Sequence, residues 1–156
     1  MLTPGPNDRA DASLRRPWTV ILAGLLTAGL GSLALLGWVS HAPGLASFGP
    51  DLIPMAPDTA CLFVLFGLAA GLRARWASRA SVYWSSVVIG CMGLITALLL
   101  LVAAGYGLLP SAEHFGLPLA SQSGGIPVGH MSPVTALGFL LASMSFLASL
   151  PASPER

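Results

Sequence analysis

The side chains best able to bind a metal ion or exchange a proton near neutral pH lie in or beside two long loops. They are three histidines and three acids: His41, Asp51, Asp58, Glu113, His114 and His130. Imidazole and carboxylate groups bind zinc, and histidine titrates near physiological pH. Their spacings match no metal-ligand motif, and no histidine falls inside a predicted helix, where a haem ligand in a membrane bundle usually lies. We therefore interpret the histidines as solvent-facing or loop-tethering, expect no cofactor, and keep a metal site or pH-sensitive lid as the alternative.

The sequence lacks the residue combinations that are typical of enzymes. It contains no nucleophile–base pair, phosphate-binding loop, kinase motif or CxxC pair. No ionisable residue lies in the middle of a predicted span, which disfavours a proton relay or an ion pathway. Cys61 and Cys91 fall inside apolar helices and are interpreted as small packing residues. We predict that the chain is not an enzyme.

The composition is that of an integral membrane protein. Hydrophobic residues make up 54% of the chain and charged residues 8%, and lysine is absent, whereas roughly a quarter of a soluble domain is charged. Such a chain has too little polar surface to cover a soluble globule of 156 residues. A net charge of +1 provides no basic footprint for nucleic acid, so we exclude that partner and expect the lipid bilayer instead.

Four apolar segments predict an all-α membrane protein with four transmembrane helices. The segments are 18–39, 57–72, 82–109 and 133–150. The first and third are long enough to cross roughly 30 Å of hydrocarbon at about 1.5 Å per residue. The second is only about 24 Å long by the same rise, and we expect Arg73 to extend toward the membrane surface to help it cross.

The arginines indicate the orientation of these spans. They precede the first helix, fill the turn between the second and third helices and end the chain, whereas the loops 40–56 and 110–132 hold no basic residue. The positive-inside rule therefore predicts cytoplasmic termini and two external loops. A cleaved signal peptide over residues 1–42 is the alternative, but Pro43 is unfavourable directly after a cleavage site.

A short motif occurs twice at a constant separation of 76 residues. Its first copy includes Met55, Pro57 and Thr59, and its second copy includes the corresponding residues and a serine: Met131, Ser132, Pro133 and Thr135. We interpret the chain as two helix–loop–helix repeats, 17–76 and 80–150, flanked by a polar N-terminal arm, 1–16, and a tail, 151–156. Because both repeats begin on the same side, they should be related by an axis along the membrane normal.

Local chemistry explains the motif as a helix start. Ser132 can cap the free amides, and proline at the first helical position loses no helical hydrogen bond. In the first copy Ala56 takes the capping position, so Asp58 or Thr59 must satisfy the amides. Small residues four apart predict close helix packing. They are Gly67 and Gly71 in the second helix, and Ser145 and Ser149 in the fourth.

The motif M-x-P-x-T-A-x-x-F-x-L, at 55–65 and 131–141, resembles the helix starts in N-terminal multi-pass membrane modules of bacterial signalling proteins. Those modules precede PAS, histidine kinase or diguanylate cyclase domains. The resemblance covers most of residues 17–150 and implies a sensor or anchor module in the bacterial inner membrane, working with a cytoplasmic signalling domain. The ligand, if the module has one, is not implied.

Two functions therefore remain open at this point. One is a non-enzymatic sensor or anchor of a bacterial signalling system. The other is a small accessory subunit of a larger membrane complex of respiratory or photosynthetic type. The repeated motif favours the first interpretation. The second is favoured because no output domain follows the last predicted span before Arg156.

Overall fold

The computed structural model describes residues 6–40, 42–47, 54–106 and 131–151, and these residues are helical apart from short turns. In chain order the helices are α1 (Pro6–Val39), α2 (Pro43–Ser47), α3 (Pro57–Trp76), α4 (Ala80–Gly105) and α5 (Pro133–Ala148). The short α2 lies in the first predicted external loop, and residues 77–79 form the turn between α3 and α4.

Three helices are long and apolar enough to cross a membrane. They are Pro17–Val39 within α1, all of α3 and all of α4. With 16 residues, α5 is apolar but reaches only about 24 Å at 1.5 Å per residue. The all-α class is therefore confirmed for the described residues, with three helices long enough to span a membrane and one shorter apolar helix.

The helix boundaries differ from the predicted spans at both ends of the chain. The first helix begins at Pro6 and continues through Pro17, because the predicted polar arm contains alanine, leucine and arginine, which are strong helix formers. At the other end, α5 stops at Ala148 and not at residue 150. The residue before Pro151 is biased away from helical geometry, which favours this earlier stop.

The closest packing joins α1 to α3 through residues without bulky side chains. A Cβ atom built on Gly67 would lie 2.5 Å from the carbonyl oxygen of Gly24 and 2.6 Å from the backbone nitrogen of Ala28. A Cβ atom on Gly31 would similarly meet the carbonyl oxygen of Ala60 at 2.5 Å. The two backbones therefore touch along most of the shared length, as expected for small-residue packing in membranes.

A second antiparallel pair, α4 with α5, also packs through small residues. A Cβ atom on Gly90 would meet the Leu147 side chain at 2.6 Å, and one on Gly93 would lie 2.9 Å from Ser143 Oγ. Gly93 also faces α3, because the same Cβ atom would lie 2.6 Å from the Phe66 ring. Ser143 is fully buried, and its hydroxyl donates to the Phe139 carbonyl at 2.6 Å. In this pair the contacts are between a glycine face and side chains.

The predicted packing residues are only partly those that the structure uses. Gly67 is at a tight contact, but a Cβ atom on Gly71 would meet nothing within 4 Å. In α5 the buried serine is Ser143, whereas Ser145 and Ser149 are exposed. Gly71 nevertheless lies at the α1 interface, because a Cβ atom on Gly24 would come within 3.1 Å of the Gly71 backbone nitrogen; its own Cβ position faces open space.

Candidate functional site: the seam and the groove between the helix pairs

The start of α3 is buried against α1 and the short α2. Asp58 and Thr59 are 5% and 6% exposed, and the Asp58 Oδ1 atom accepts a hydrogen bond from the Thr59 amide at 2.7 Å. A carboxylate here also interacts favourably with the positive end of the helix dipole. Just before it, Met55 donates through its amide to Ala46 in α2 at 2.9 Å and accepts from the Trp38 indole at 2.8 Å. The first copy of the motif is thus fixed to α1 and α2.

The start of α5 shares methionine, proline and threonine with the start of α3 but differs in its other residues and in its environment. Ser132 Oγ accepts from the Thr135 amide at 3.1 Å and lies 2.8 Å from the Thr135 hydroxyl, so the serine caps the helix. Met131 and Ala136 are buried, whereas Ser132 and Pro133 are exposed. Ser132 therefore accepts a hydrogen bond from a free amide at the exposed start of α5, whereas Asp58 does so at the buried start of α3.

Side chains join α3 to α5 along a line that we call the seam: Phe63, Phe66 and Arg73 on α3, and Phe139, Phe146 and Ser149 on α5. Phe63 and Phe139 form an edge-to-face pair with ring centroids 5.6 Å apart, and Phe66 and Phe146 form another at 5.4 Å. Such aromatic pairs each contribute about 0.5–1.5 kcal/mol beyond their buried area.

One end of the seam is an arginine that caps α5. Arg73 donates from Nη1 to Ser149 Oγ at 2.8 Å and from Nη2 to the Ser149 carbonyl at 2.6 Å. Its guanidinium carbon also lies 5.8 Å from the centre of the Phe146 ring. A cation at a helix C-terminus satisfies free carbonyls and suits the helix dipole, so Arg73 fixes the end of α5 against the end of α3.

Two of the seam contacts join residues that are separated by the same 76 positions as the two copies of the motif. Phe63 and Phe139 are 76 residues apart, as are Arg73 and Ser149. Corresponding residues of two similar units meet each other only close to the rotation axis that relates the units. The seam has the geometry expected of such an axis between α3 and α5.

An apolar groove runs beside the seam between α1 and α5, with α3 as its floor. It consists of three overlapping cavities of about 450, 510 and 390 Å³. The first is lined by Arg73 and Ser149, the second by Phe66 and Ala142, and the third by Phe63 together with Phe66 and Ala142. Neighbouring cavities share lining residues, so the groove is continuous.

The histidine candidates lie outside the described residues: His41, His114 and His130. The same is true of Asp51 and Glu113. Within the part of the chain that the structure describes, no group of three histidine, cysteine or acidic residues could hold a metal ion. The cysteines there are both free, with Cys61 half-buried and Cys91 exposed.

The seam contacts are the feature that sequence reasoning missed. Phe63 and Phe139 were recognised as matching positions of the motif, and Arg73 as a residue that marks orientation, but neither observation predicts that matching residues touch. The signal that could have predicted these contacts was the constant separation of 76 residues, combined with a parallel arrangement of the two predicted repeats.

No protein-family model matches the chain, and comparison with curated proteins and with solved structures gave no match either.

Proposed function

We propose that the chain is a non-enzymatic sensor or anchor module of a bacterial signalling system, built as two tandem helix–loop–helix repeats. The first repeat contains α1 and α3, and the second contains α4 and α5. The repeats together form a bundle of four spans, with α5 crossing as a short helix. The proposal combines the repeated motif with the contacts between corresponding residues at the seam.

The proposed location is the bacterial inner membrane, with both termini in the cytoplasm. Arg73 and Arg75 lie in the last turn of α3, and Arg79 lies directly before α4, which supports a cytoplasmic position for this end of the two helices. Trp76 and Trp84 flank the α3–α4 turn and are 40% and 59% exposed. Exposed tryptophans at this level are typical of the interface between lipid and water.

The observation that carries the proposal is the difference between the contacts within each helix pair and those between the pairs. Within α1/α3, backbone atoms meet at glycine positions, and within α4/α5 the Leu147 side chain lies directly on the Gly90 backbone. Between the pairs, α3 meets α5 and Gly93 of α4 mainly through long side chains such as Phe66 and Arg73. Long side chains can change rotamer and accommodate a small sliding movement, whereas backbones in contact cannot.

This difference supports a mechanism for signalling. A stimulus that enters the groove or acts on the external segments shifts one pair against the other along the seam. At the cytoplasmic end the movement reaches Ser149, which Arg73 holds, and passes from there to a cytoplasmic signalling domain. Such shear motions of packed helices amount to roughly 1–2 Å in known switches.

The experiment that tests the function is purification of the tagged protein from its native membranes in mild detergent. We expect a histidine kinase, a diguanylate cyclase or a PAS-containing protein to co-purify in a fixed ratio. Arg73→Gln should weaken signalling through that partner without releasing it, because the substitution removes the contact at the seam only. Co-purification with an electron-transfer complex and no signalling protein would contradict the proposal.

The second candidate, an accessory subunit of a respiratory or photosynthetic complex, is supported by the outer surface of α4. Only 17% of its most apolar stretch is buried within the chain, compared with 39% for α3. Exposed large side chains follow one another along the helix: Trp84, Val88, Met92, Ile95, Leu99 and Val102. This surface suits a neighbouring subunit as well as lipid, and the same purification distinguishes the two functions.

A further inference from the structure

We infer that the groove between α1 and α5 binds one anionic phospholipid, with its phosphate on Arg73 and an acyl chain lying along the groove toward Phe63 and Phe139. The inference rests on the proposed topology, which places Arg73 in the cytoplasmic leaflet. It adds a ligand that the signalling proposal does not require.

Arg73 has donors left for an anion after it has bound α5. A guanidinium group carries five N–H donors, and its hydrogen bonds to Ser149 Oγ and to the Ser149 carbonyl are both with neutral acceptors. The side chain is half-buried at the mouth of the groove. A half-buried guanidinium whose position is already fixed is well suited to bind a phosphate through two parallel hydrogen bonds.

The groove has the length and lining that an acyl chain needs. From Arg73 to Phe63 is ten residues of α3, or about 15 Å at 1.5 Å per residue, which is half of the roughly 30 Å hydrocarbon core. The exposed lining of the middle cavity is about four-fifths apolar. The Phe63–Phe139 ring pair lies at the far end of this length, so the groove matches a single leaflet.

The distribution of charge favours an anionic headgroup at this end. Arg75 and Arg79 lie within six residues of Arg73, whereas the one acidic side chain among residues 17–40, 42–47, 54–106 and 131–151 is Asp58, at the opposite end of α3. Basic pockets between transmembrane helices on the cytoplasmic side recognise anionic lipid headgroups. A zwitterionic lipid would place its own cation beside these arginines and should bind less well.

The test measures lipid binding directly by native mass spectrometry. The detergent-purified, delipidated chain is titrated with phosphatidylglycerol or with phosphatidylcholine. We expect one tightly bound phosphatidylglycerol. Arg73→Gln should weaken that binding by roughly tenfold, the equivalent of the ~1.5 kcal/mol of a hydrogen bond to a charged group. Arg79→Gln is the matched control, since it removes the same charge from the same turn but its guanidinium stacks on Trp76 outside the groove.

A second pair of variants tests the acyl-chain portion without touching the charge. Ala142 lines the groove and is exposed, so Ala142→Phe should fill the groove, leave the fold intact and lower phosphatidylglycerol binding. Met144→Phe adds a ring on another exposed surface of α5 and should not affect binding. This pair decides the outcome if Arg73→Gln proves unstable.

Three results would overturn the inference: equal binding of the two lipids, equal losses for Arg73→Gln and Arg79→Gln, or a dimer that Ala142→Phe abolishes. The last would assign the groove to a second copy of the chain. Because none of these readouts involves a signalling partner, lipid binding can fail while the signalling proposal stands, and the reverse also holds.

Discussion

The substitution Gly67→Ala tests the packing on which the two-pair architecture depends. The new Cβ atom would lie 2.5 Å from the Gly24 carbonyl oxygen, 2.6 Å from the Ala28 nitrogen and 3.0 Å from the Ala28 Cβ atom. Two of these three atoms belong to the backbone and cannot rotate away. To restore an ordinary contact distance of 3.4 Å, α1 and α3 must separate by about 0.9 Å.

The expected loss of stability follows from this separation. Overpacking a well-packed site costs about 1–3 kcal/mol, and we expect the upper end because backbone atoms are involved. Replacing glycine by alanine in a helix also stabilises that helix by about 1 kcal/mol. The net free energy of unfolding should therefore fall by about 2 kcal/mol.

Gly71→Ala is the matched control, one turn later in α3. Its Cβ atom would meet nothing within 4 Å, so only the helix-propensity gain of up to about 1 kcal/mol should remain. Both variants should be unfolded reversibly with sodium dodecyl sulfate in mixed micelles and followed by far-ultraviolet circular dichroism. Equal stabilities of the two variants would refute the assignment of Gly67 to a backbone contact.

Three further substitutions test other contacts in the same unfolding assay. Trp38→Phe removes a 2.8 Å hydrogen bond to the Met55 carbonyl and should cost about 1 kcal/mol; an unchanged midpoint would show that the bond does not hold the segment before α3 to α1. Ser132→Ala should cost about 1 kcal/mol through loss of the cap, whereas Ser132→Asn, which can cap, should cost much less. Gly93→Ala should destabilise by about 1–3 kcal/mol, while Gly138→Ala, whose Cβ atom meets nothing within 4 Å, should not. The reverse order would exclude the packing of Gly93 against Phe66 and Ser143.

The features that the sequence predicts well are those that depend on composition and local chemistry. The apolar composition predicts membrane-type helices, and α3 and α5 begin at Pro57 and Pro133 as predicted. Proline at a first helical position and a capping serine act within a few residues, so their effect is visible without knowledge of the fold.

The helix surfaces that pack together could not be predicted because small residues occur all around α1. A Cβ atom on Gly29 would meet nothing, whereas one on Gly31 would touch the Ala60 carbonyl at 2.5 Å. Both residues are glycines within an apolar helix, and only the position of α3 distinguishes them. The same applies to Ser143, which is buried, and Ser145, which is exposed.

The contacts of the seam required knowledge of how the two pairs are placed. Phe63 and Phe139 are individually ordinary hydrophobic residues, and their contact depends on which helices lie nearest the axis between the pairs. Arg73 fits the positive-inside pattern, so its presence already had an explanation, and its hydrogen bonds to Ser149 were not predicted. Contacts between residues 76 positions apart are a property of the tertiary arrangement.

The central claim, two rigid helix pairs that move along a side-chain seam, is tested most directly by electron–electron distance measurements in lipid nanodiscs. One label pair, Leu25→Cys with Leu68→Cys, lies within α1/α3, and the other, Leu68→Cys with Met144→Cys, joins exposed positions of α3 and α5 across the seam. Both pairs are made with Cys61 and Cys91 replaced by alanine. The account predicts one narrow distance distribution within the pair and a broader or two-peaked distribution across the seam. Equally narrow distributions for both label pairs would contradict it, because the four helices would then form a single rigid body.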